Sequence, residues 1–362
     1  MSRRPAGAET PAILGYRMPA EWEPHAATWI AWPHERTDWP GSGKLGAVRW
    51  VYGEVMRHLA PGELVRVLVQ DDAGAAQVRS VCAGAGVPLE RVTCVRVATD
   101  RSWTRDSCPM FVRDARGDVA ATAWRFNGWA KYPNHTRDEK VAAAVGRRLR
   151  KRVFIPIAPV DGRPRRLVLE GGAVDVNGRG TLLATEECLL SSIQERNPGL
   201  DREGTEHALR DWLGVRHVVW LGEGIAGDDT HGHVDDLARF VDATTVVVAS
   251  SDDPADPDYA RLRDAHERLV RAEDQDGRPF RVVPLPMPAP LFFDGYRLPA
   301  SYANFYVGNE VVLVPTFNDP ADRRALSILA DLFPTRCVVG IHAVDLVLGL
   351  GTIHCMTQQE PA

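Results

Sequence analysis

This sequence predicts a mixed α/β fold of five ββαβ modules set in a ring or propeller with helices outside. Three observations carry the prediction. An amphipathic helical stripe followed closely by a short β-branched run recurs five times. Hairpin-like segments, each two apolar stretches around a polar turn, lie between those units. Polar clusters fall at one place in the pattern, after a unit's last strand and before the next hairpin: Trp103 with Asp106, Glu170, His233 with Asp235, Asn304, and Cys355. Modules of this size cannot bury their own faces, so they must pack on one another. An ordinary open α/β sheet is the plainer alternative.

The first module opens on AATWIAWP, read as a first hairpin strand. Leu45, Val48, Tyr52, Val55 and Leu59 have helical spacing, and LVRVLVQ (64–70) follows as a strand. A further pair, AAQVRSVCAGAG and RVTCVRV, extends this module. MFVRDARGDVAATAWRF starts the second, with Val141, Val145 and Leu149 on its helix and VFIPIA (153–158) as its last strand. GGAVDVNGRGTLLAT, a helix carrying Ala208 and Trp212, and VRHVVWL (215–221) make the third. LARFVDATTVVVAS, the stripe Tyr259, Leu262, His266 and Leu269, and FRVVPLP (280–286) make the fourth. NFYVGNEVVLVPTF, then Leu326, Leu329 and Leu332, then RCVVGI (336–341) make the fifth. Glycine marks most of the hairpin turns. In a ring, equivalent positions face the axis, so the polar clusters would converge on one central pocket.

The 362 residues are 44% apolar and 25% charged, an ordinary globular balance that supports a sizeable core. Residues 13–362 read as a single domain behind a loose, flexible tail at 1–12. The net charge of −5 favours neither nucleic acid nor an anionic membrane, and is compatible with a small cationic substrate. No apolar run has the length of a membrane-spanning helix, and the N-terminus lacks a signal peptide's apolar stretch. Six cysteines without CxxC spacing read as reduced thiols of a cytoplasmic protein. A homo-oligomer is left open.

GDDTHGHVDDLARFV (227–241) is the densest polar stretch and has three readings. His231, His233, Asp235 and Asp236 resemble the alternating ligand run of metal hydrolases, although Asp stands where those carry a final His. A solvated turn capping the next strand is the bland reading. The third is a cation site: strand alternation puts His233 and Asp235 on one face, and an imidazole beside a carboxylate can move protons.

MPAEWEPHAATWIAWP, WTRDSCP, FNGWAKYP, LEGGAVDVNGRG, GDDTHGHVDDLARF, SYANFYVGNEVVLVPTFNDP and GLGTIHCMTQQ span nearly the whole chain. Together they resemble the agmatine deiminase family, within the guanidine-modifying enzymes of the pentein fold. The resemblance implies a five-bladed α/β propeller. It implies hydrolysis of agmatine to N-carbamoylputrescine and ammonia, with no metal or organic cofactor. It makes Cys355 the nucleophile, His233 the general acid/base, Asp106 and Asp235 the guanidinium-binding carboxylates, and Glu170 the acid that supports the histidine. Arginine and peptidyl arginine are the alternative guanidine substrates.

Three departures stand out. Leu350 and Thr352 replace Gly and Asn of the family's GGGNIHC, which points to a bulkier Cys355 loop. Asp229 is one methylene shorter than the Glu with which plant-type members help hold the substrate's far amine. His231 replaces a common Asp. Trp103, Trp129 and Tyr132 either line the pocket or fill the core, and Asn304 either bonds the substrate or finishes a strand.

The chemistry fits the residue types. A guanidinium is planar, cationic and a poor electrophile, and paired carboxylates can grip its N–H edges. Its carbon then needs a strong nucleophile, which a thiolate supplies. Three acids around one sulfur should raise the thiol's pKa, so the free enzyme is expected to hold a thiol.

Overall fold

The computed structural model describes residues 9–362. The chain is a mixed α/β fold in which each predicted module has its own small sheet. Met110–Arg113 pairs antiparallel with Val119–Thr122, which pairs parallel with Arg152–Phe154 across the helix Asp138–Arg148. The same pattern recurs in Asp175–Val176, Thr181–Thr185 and His217–Leu221 around Arg202–Leu213. It recurs in Ala238–Phe240, Thr245–Ser250 and Arg281–Pro286 around Tyr259–Arg271. Tyr306–Val307, Val311–Thr316 and Cys337–His342 repeat it around Ala321–Leu332.

The first module differs. His25–Ala31, Leu64–Val69 and Val92–Arg96 run parallel, joined by the helices Lys44–Leu59 and Asp72–Ala85. The antiparallel partner of His25–Ala31 is Gln358–Pro361, from the far end of the chain. The segment read as a hairpin strand is therefore paired across the whole sequence, and this pairing anchors the Cys355 loop just before it.

Local chemistry explains the elements. The middle strands TVVVAS and VVLVPT are β-branched and almost wholly buried, as strands covered on both faces must be. The helix Arg202–Leu213 starts at Asp201, whose carboxylate accepts the Gly204 N–H at 2.8 Å, and ends at Gly214 with φ 69°. Its buried stripe is Thr205, Ala208, Leu209, Trp212 and Leu213.

Two expectations need correction. VFIPIA is not one strand: pairing stops at Phe154 because Pro156 has no N–H to donate, and Ile157–Val160 turns into a separate hairpin with Arg163–Arg166. The expected tail of residues 1–12 lies mostly outside the described residues. Its last part is packed: Thr10 and Pro11 are buried, and Ala12–Leu14 forms a short helical turn against Arg202–Leu213. No helix among the described residues is long and apolar enough to cross a membrane.

The links between modules place the polar clusters. They carry the short turns Thr104–Ser107, Gly171–Ala173 and Val234–Asp236, and the loops around 301–304 and 350–357. Backbone groups lock these links together. Arg105 donates its N–H to the Cys355 carbonyl at 3.1 Å, and His354 donates to the Asn304 carbonyl at 3.0 Å. Ser301 Oγ donates to the Asp236 carbonyl at 2.7 Å.

Candidate active site

Seven of the residues singled out in the sequence meet in one buried site. Cys355 is 7% exposed, and its thiol lies 3.7 Å from Asp235 Oδ2. Asn304 Nδ2 donates to Cys355 Sγ at 3.2 Å. Across the site, Asp106 Oδ1 accepts the Gly172 N–H at 3.1 Å, and Asp106 Oδ2 accepts Trp129 Nε1–H at 2.9 Å. His233 Nδ1 is 4.0 Å from Asp235 Oδ1, and its Nε2 is 3.8 Å from Glu170 Oε2. Gly172 makes this closeness feasible: a Cβ there would sit 2.5 Å from His233 Nδ1. That explains the second glycine of LEGG.

The electrostatics follow from burial and neighbours. Burial pushes the Cys355 thiol pKa well up, and Asp235, Asp236 and Asp106 push it further. Burial opposes charge on His233, yet Asp106, Cys188 and Glu170 raise its pKa well above the usual imidazole range. Burial also works against an ionised Glu170, but Arg196 and His233 win and hold its pKa down at about 2. Arg196 donates Nε–H to Glu170 Oε1 at 3.0 Å, with both side chains fully enclosed. Asp106 has its pKa raised by burial, with Asp235 and Glu170 adding to the push and His233 opposing it.

Asp235 and Asp236 divide the charge. Burial opposes ionisation of Asp235, but a hydrogen bond from His354 Nδ1 at 2.7 Å keeps its pKa low. At Asp236 burial, Asp235 and Asp228 raise the pKa well above the carboxylate range, and His233 and a hydrogen bond with Asn304 offset only part of the rise. His354 Nε2 faces Glu21 Oε2 at 2.8 Å. Both ring nitrogens therefore meet carboxylates. Glu21 in turn accepts Arg105 Nη2–H at 3.1 Å and Arg239 Nη2–H at 2.9 Å. Glu21, Arg105, Arg239 and His354 thus form a buried ionic frame behind Asp235.

The remaining predicted residues sort clearly. Trp129 holds Asp106, so it belongs to the site. Trp103 packs against the Cys355 loop: Cβ atoms at Gly349 and Gly351 would come within 2.8 and 3.1 Å of its ring. Asn304 braces the same loop, donating to Sγ and accepting Thr352 Oγ1–H at 2.7 Å and the His354 N–H at 3.0 Å. Thr352 is thereby given a task, and Leu350 adopts φ 67°, a left-handed conformation natural to glycine. Asp229 lies at the outer edge, bonded to Lys131 and to Tyr132 Oη at 2.6 Å.

Sequence reasoning missed Arg196, Glu21, His354, Cys188 and Lys131. The bland reading of Asp106, an ion pair with Arg105, does not hold, because Arg105 pairs with Glu21 at 3.1 Å. The residues of the HGHVDD run do not all converge on one point. His231 turns away from His233, with Nε2 at 3.2 Å from Ser191 Oγ and Nδ1 at 3.7 Å from Glu187. Two other groups could offer three ligand atoms within 4.8 Å of one another: Glu170, Cys188 and His233, and Asp235, Asp236 and Cys355. Each would first have to shed protons, because an imidazolium and a thiol are not ligands.

Comparison with known proteins places the chain in a family. The model of the Porphyromonas-type peptidyl-arginine deiminase family matches residues 17–361. The agmatine deiminase of Pseudomonas fluorescens strain Pf-5 is 38% identical, over 98% of this chain and 97% of its own. That of Pseudomonas aeruginosa is 36% identical over the same shares. The solved agmatine deiminase of Enterococcus faecalis superposes with a TM-score of 0.88 at 33% identity, covering 99% of both chains. A putative arginine deiminase from Porphyromonas gingivalis gives 0.82 at 35% identity, covering 96% of this chain and 98% of that one. On sequence and on structure, the chain belongs to the Porphyromonas-type peptidyl-arginine deiminase family.

Proposed function

We propose that this chain is an agmatine deiminase, hydrolysing agmatine to N-carbamoylputrescine and ammonia. The observation that carries the reading is the meeting of Cys355 with Asp235, Asp106, His233 and Glu170 in one acidic, buried site. The relatives named agmatine deiminase support the choice of substrate. We also read the five modules as blades of a propeller whose links line a central pocket, as their interlocked backbone bonds suggest.

In this reading Asp106 and Asp235 grip the N–H edges of the guanidinium and set its plane. The bound guanidinium's charge ionises the Cys355 thiol, whose proton passes to solvent; Sγ then bonds to the central carbon as one C=N bond opens, giving a tetrahedral adduct. His233, cationic because of the acids around it, gives its proton to one departing nitrogen. The C–N bond breaks, ammonia leaves, and an S-alkylthiouronium remains on Cys355. The now neutral His233 takes a proton from water, whose oxygen attacks the same carbon. The C–S bond breaks, the proton of the new hydroxyl passes to the departing sulfur, and the ureido product leaves with the Cys355 thiol restored. Glu170, kept ionised by Arg196, holds His233 and favours its charged form. Asn304 is a positioning residue for Cys355, and Trp129 for Asp106.

Ammonia release from agmatine, L-arginine and an arginine-containing peptide, with product mass determined, tests the assignment. Agmatine is expected to be turned over most efficiently and to give the ureido compound. Preference for arginine or the peptide would reassign the substrate. Activity abolished by chelators but retained by Cys355→Ser would replace the thiol mechanism with a metal-dependent one. Trp129→Phe keeps a ring but removes the donor to Asp106. It is expected to lower kcat/KM by roughly tenfold, the worth of one buried hydrogen bond to a charged group.

A further inference from the structure

The outer edge of the site holds a cation that no proposed chemical step uses. Lys131 Nζ pairs with Asp229 Oδ1. Tyr132 Oη donates to the other carboxylate oxygen at 2.6 Å. The Tyr132 ring meets Trp129 edge-on at 5.9 Å, and Trp129 reaches inward to Asp106. A wall of two aromatic rings thus runs from the inner carboxylate, Asp106, to the outer one, Asp229. Gln194 fixes both ends, its Nε2 donating to the carbonyls of Trp129 at 3.1 Å and Asp229 at 3.2 Å. Trp129, Ala130, Gln194 and His231 all have positive φ, so the loops of this edge hold conformations that non-glycine residues rarely adopt.

The two members of the outer pair differ in freedom. The Asp229 side chain is 18% exposed and tied to Tyr132, whereas Lys131 is 41% exposed with only Asp229 as ion-pair partner among the described residues. A lysine ammonium is a compact, well-hydrated charge on a flexible stem, and swings into water at small cost. A second ammonium at the end of an aliphatic spacer, with its guanidinium at Asp106, would want the same Asp229 oxygen.

We infer that Lys131 is a specificity-determining residue: its ammonium occupies Asp229 in the free enzyme and must be displaced by the distal cation of the substrate. The assignment rests on the guanidine-deiminase reading above. It makes Lys131 a tethered competitor that weakens binding of guanidines with a charged far end and is indifferent to those with a neutral one.

The test compares agmatine with butylguanidine, which has the same guanidinium and spacer but no ammonium. Lys131→Met is expected to lower KM for agmatine roughly fivefold, the scale of one part-exposed ion pair. Its kcat should be unchanged, because the contact is equal in ground and transition states. KM for butylguanidine should stay within twofold, and Lys131→Arg, which keeps the charge, should behave as the parent. An equal shift for both guanidines, an unchanged KM for agmatine, or a raised one overturns the role of Lys131 while leaving the reaction standing. No turnover of either guanidine by the parent enzyme overturns the reaction itself and this assignment with it.

Discussion

Cys355→Ala is expected to lower agmatine turnover by on the order of 10⁴-fold or more while the protein stays folded. The effect is large because the proposed nucleophile has no substitute within reach. The other thiol of the site, Cys188, sits with His233 and Glu170 rather than facing Asp235. The same variant gives a second readout. In the empty enzyme the Cys355 thiol is held protonated by burial and by Asp235, Asp236 and Asp106. A bound guanidinium sets positive charge between those acids and the sulfur, and so lowers the thiol's pKa. Thiolate absorbance in the ultraviolet should therefore be missing at neutral pH, appear on adding a slowly processed guanidinium ligand, and be lost in Cys355→Ala. A Cys355-dependent thiolate signal already present in the ligand-free enzyme at neutral pH would sink the idea of substrate-driven ionisation.

The modules were legible because a helix and a strand repeat different hydrophobic periods, and the chain switches between them five times. The same logic failed at VFIPIA, where the apolar run is continuous but Pro156 interrupts the donors a strand needs. Cys355, His233, Asp106 and Asp235 were legible because each falls at one place in the repeat and inside a stretch that resembles a known family. The residues that set their charges were not. Glu21 is a lone acid before the first strand, and nothing in its neighbours says that Arg105, Arg239 and His354 will close on it. A buried glutamate demands a cation, so Glu170 implied a partner, but spacing alone could not select Arg196 among the arginines of the chain. Lys131 was hidden differently. It lies in FNGWAKYP, beside residues that did draw notice, but its meaning depends on Asp229 arriving from another module.

Arg196→Met should produce the other large effect, on stability and rate together. Arg196 and Glu170 form an ion pair with no solvent exposure. Removing one member leaves a buried charge unpaired, at a cost of about 3–5 kcal/mol. The pH dependence has a definite sign. The folded pKa of Glu170 is about 2, below its ordinary value of 4.5. The stabilisation is therefore full above about pH 4.5 and is lost as pH falls toward 2. In the variant only His233 is left to oppose burial, so the Glu170 pKa is expected to rise and this stabilisation to shrink. Urea unfolding as a function of pH should show the parent's gain in stability between acid and neutral pH, and its loss in Arg196→Met. Turnover should fall about 100-fold, because a Glu170 whose charge and position Arg196 no longer fixes favours the imidazolium of His233 less. Pairing the change with Glu170→Gln separates the two effects: the double variant should recover much of the stability, since no charge is stranded, but not the rate. Recovery of both would reduce Glu170 to a packing residue, and recovery of neither would mean that Arg196 matters chiefly through its bonds to the carbonyls of Gln194 and Thr230, at 2.8 and 2.5 Å.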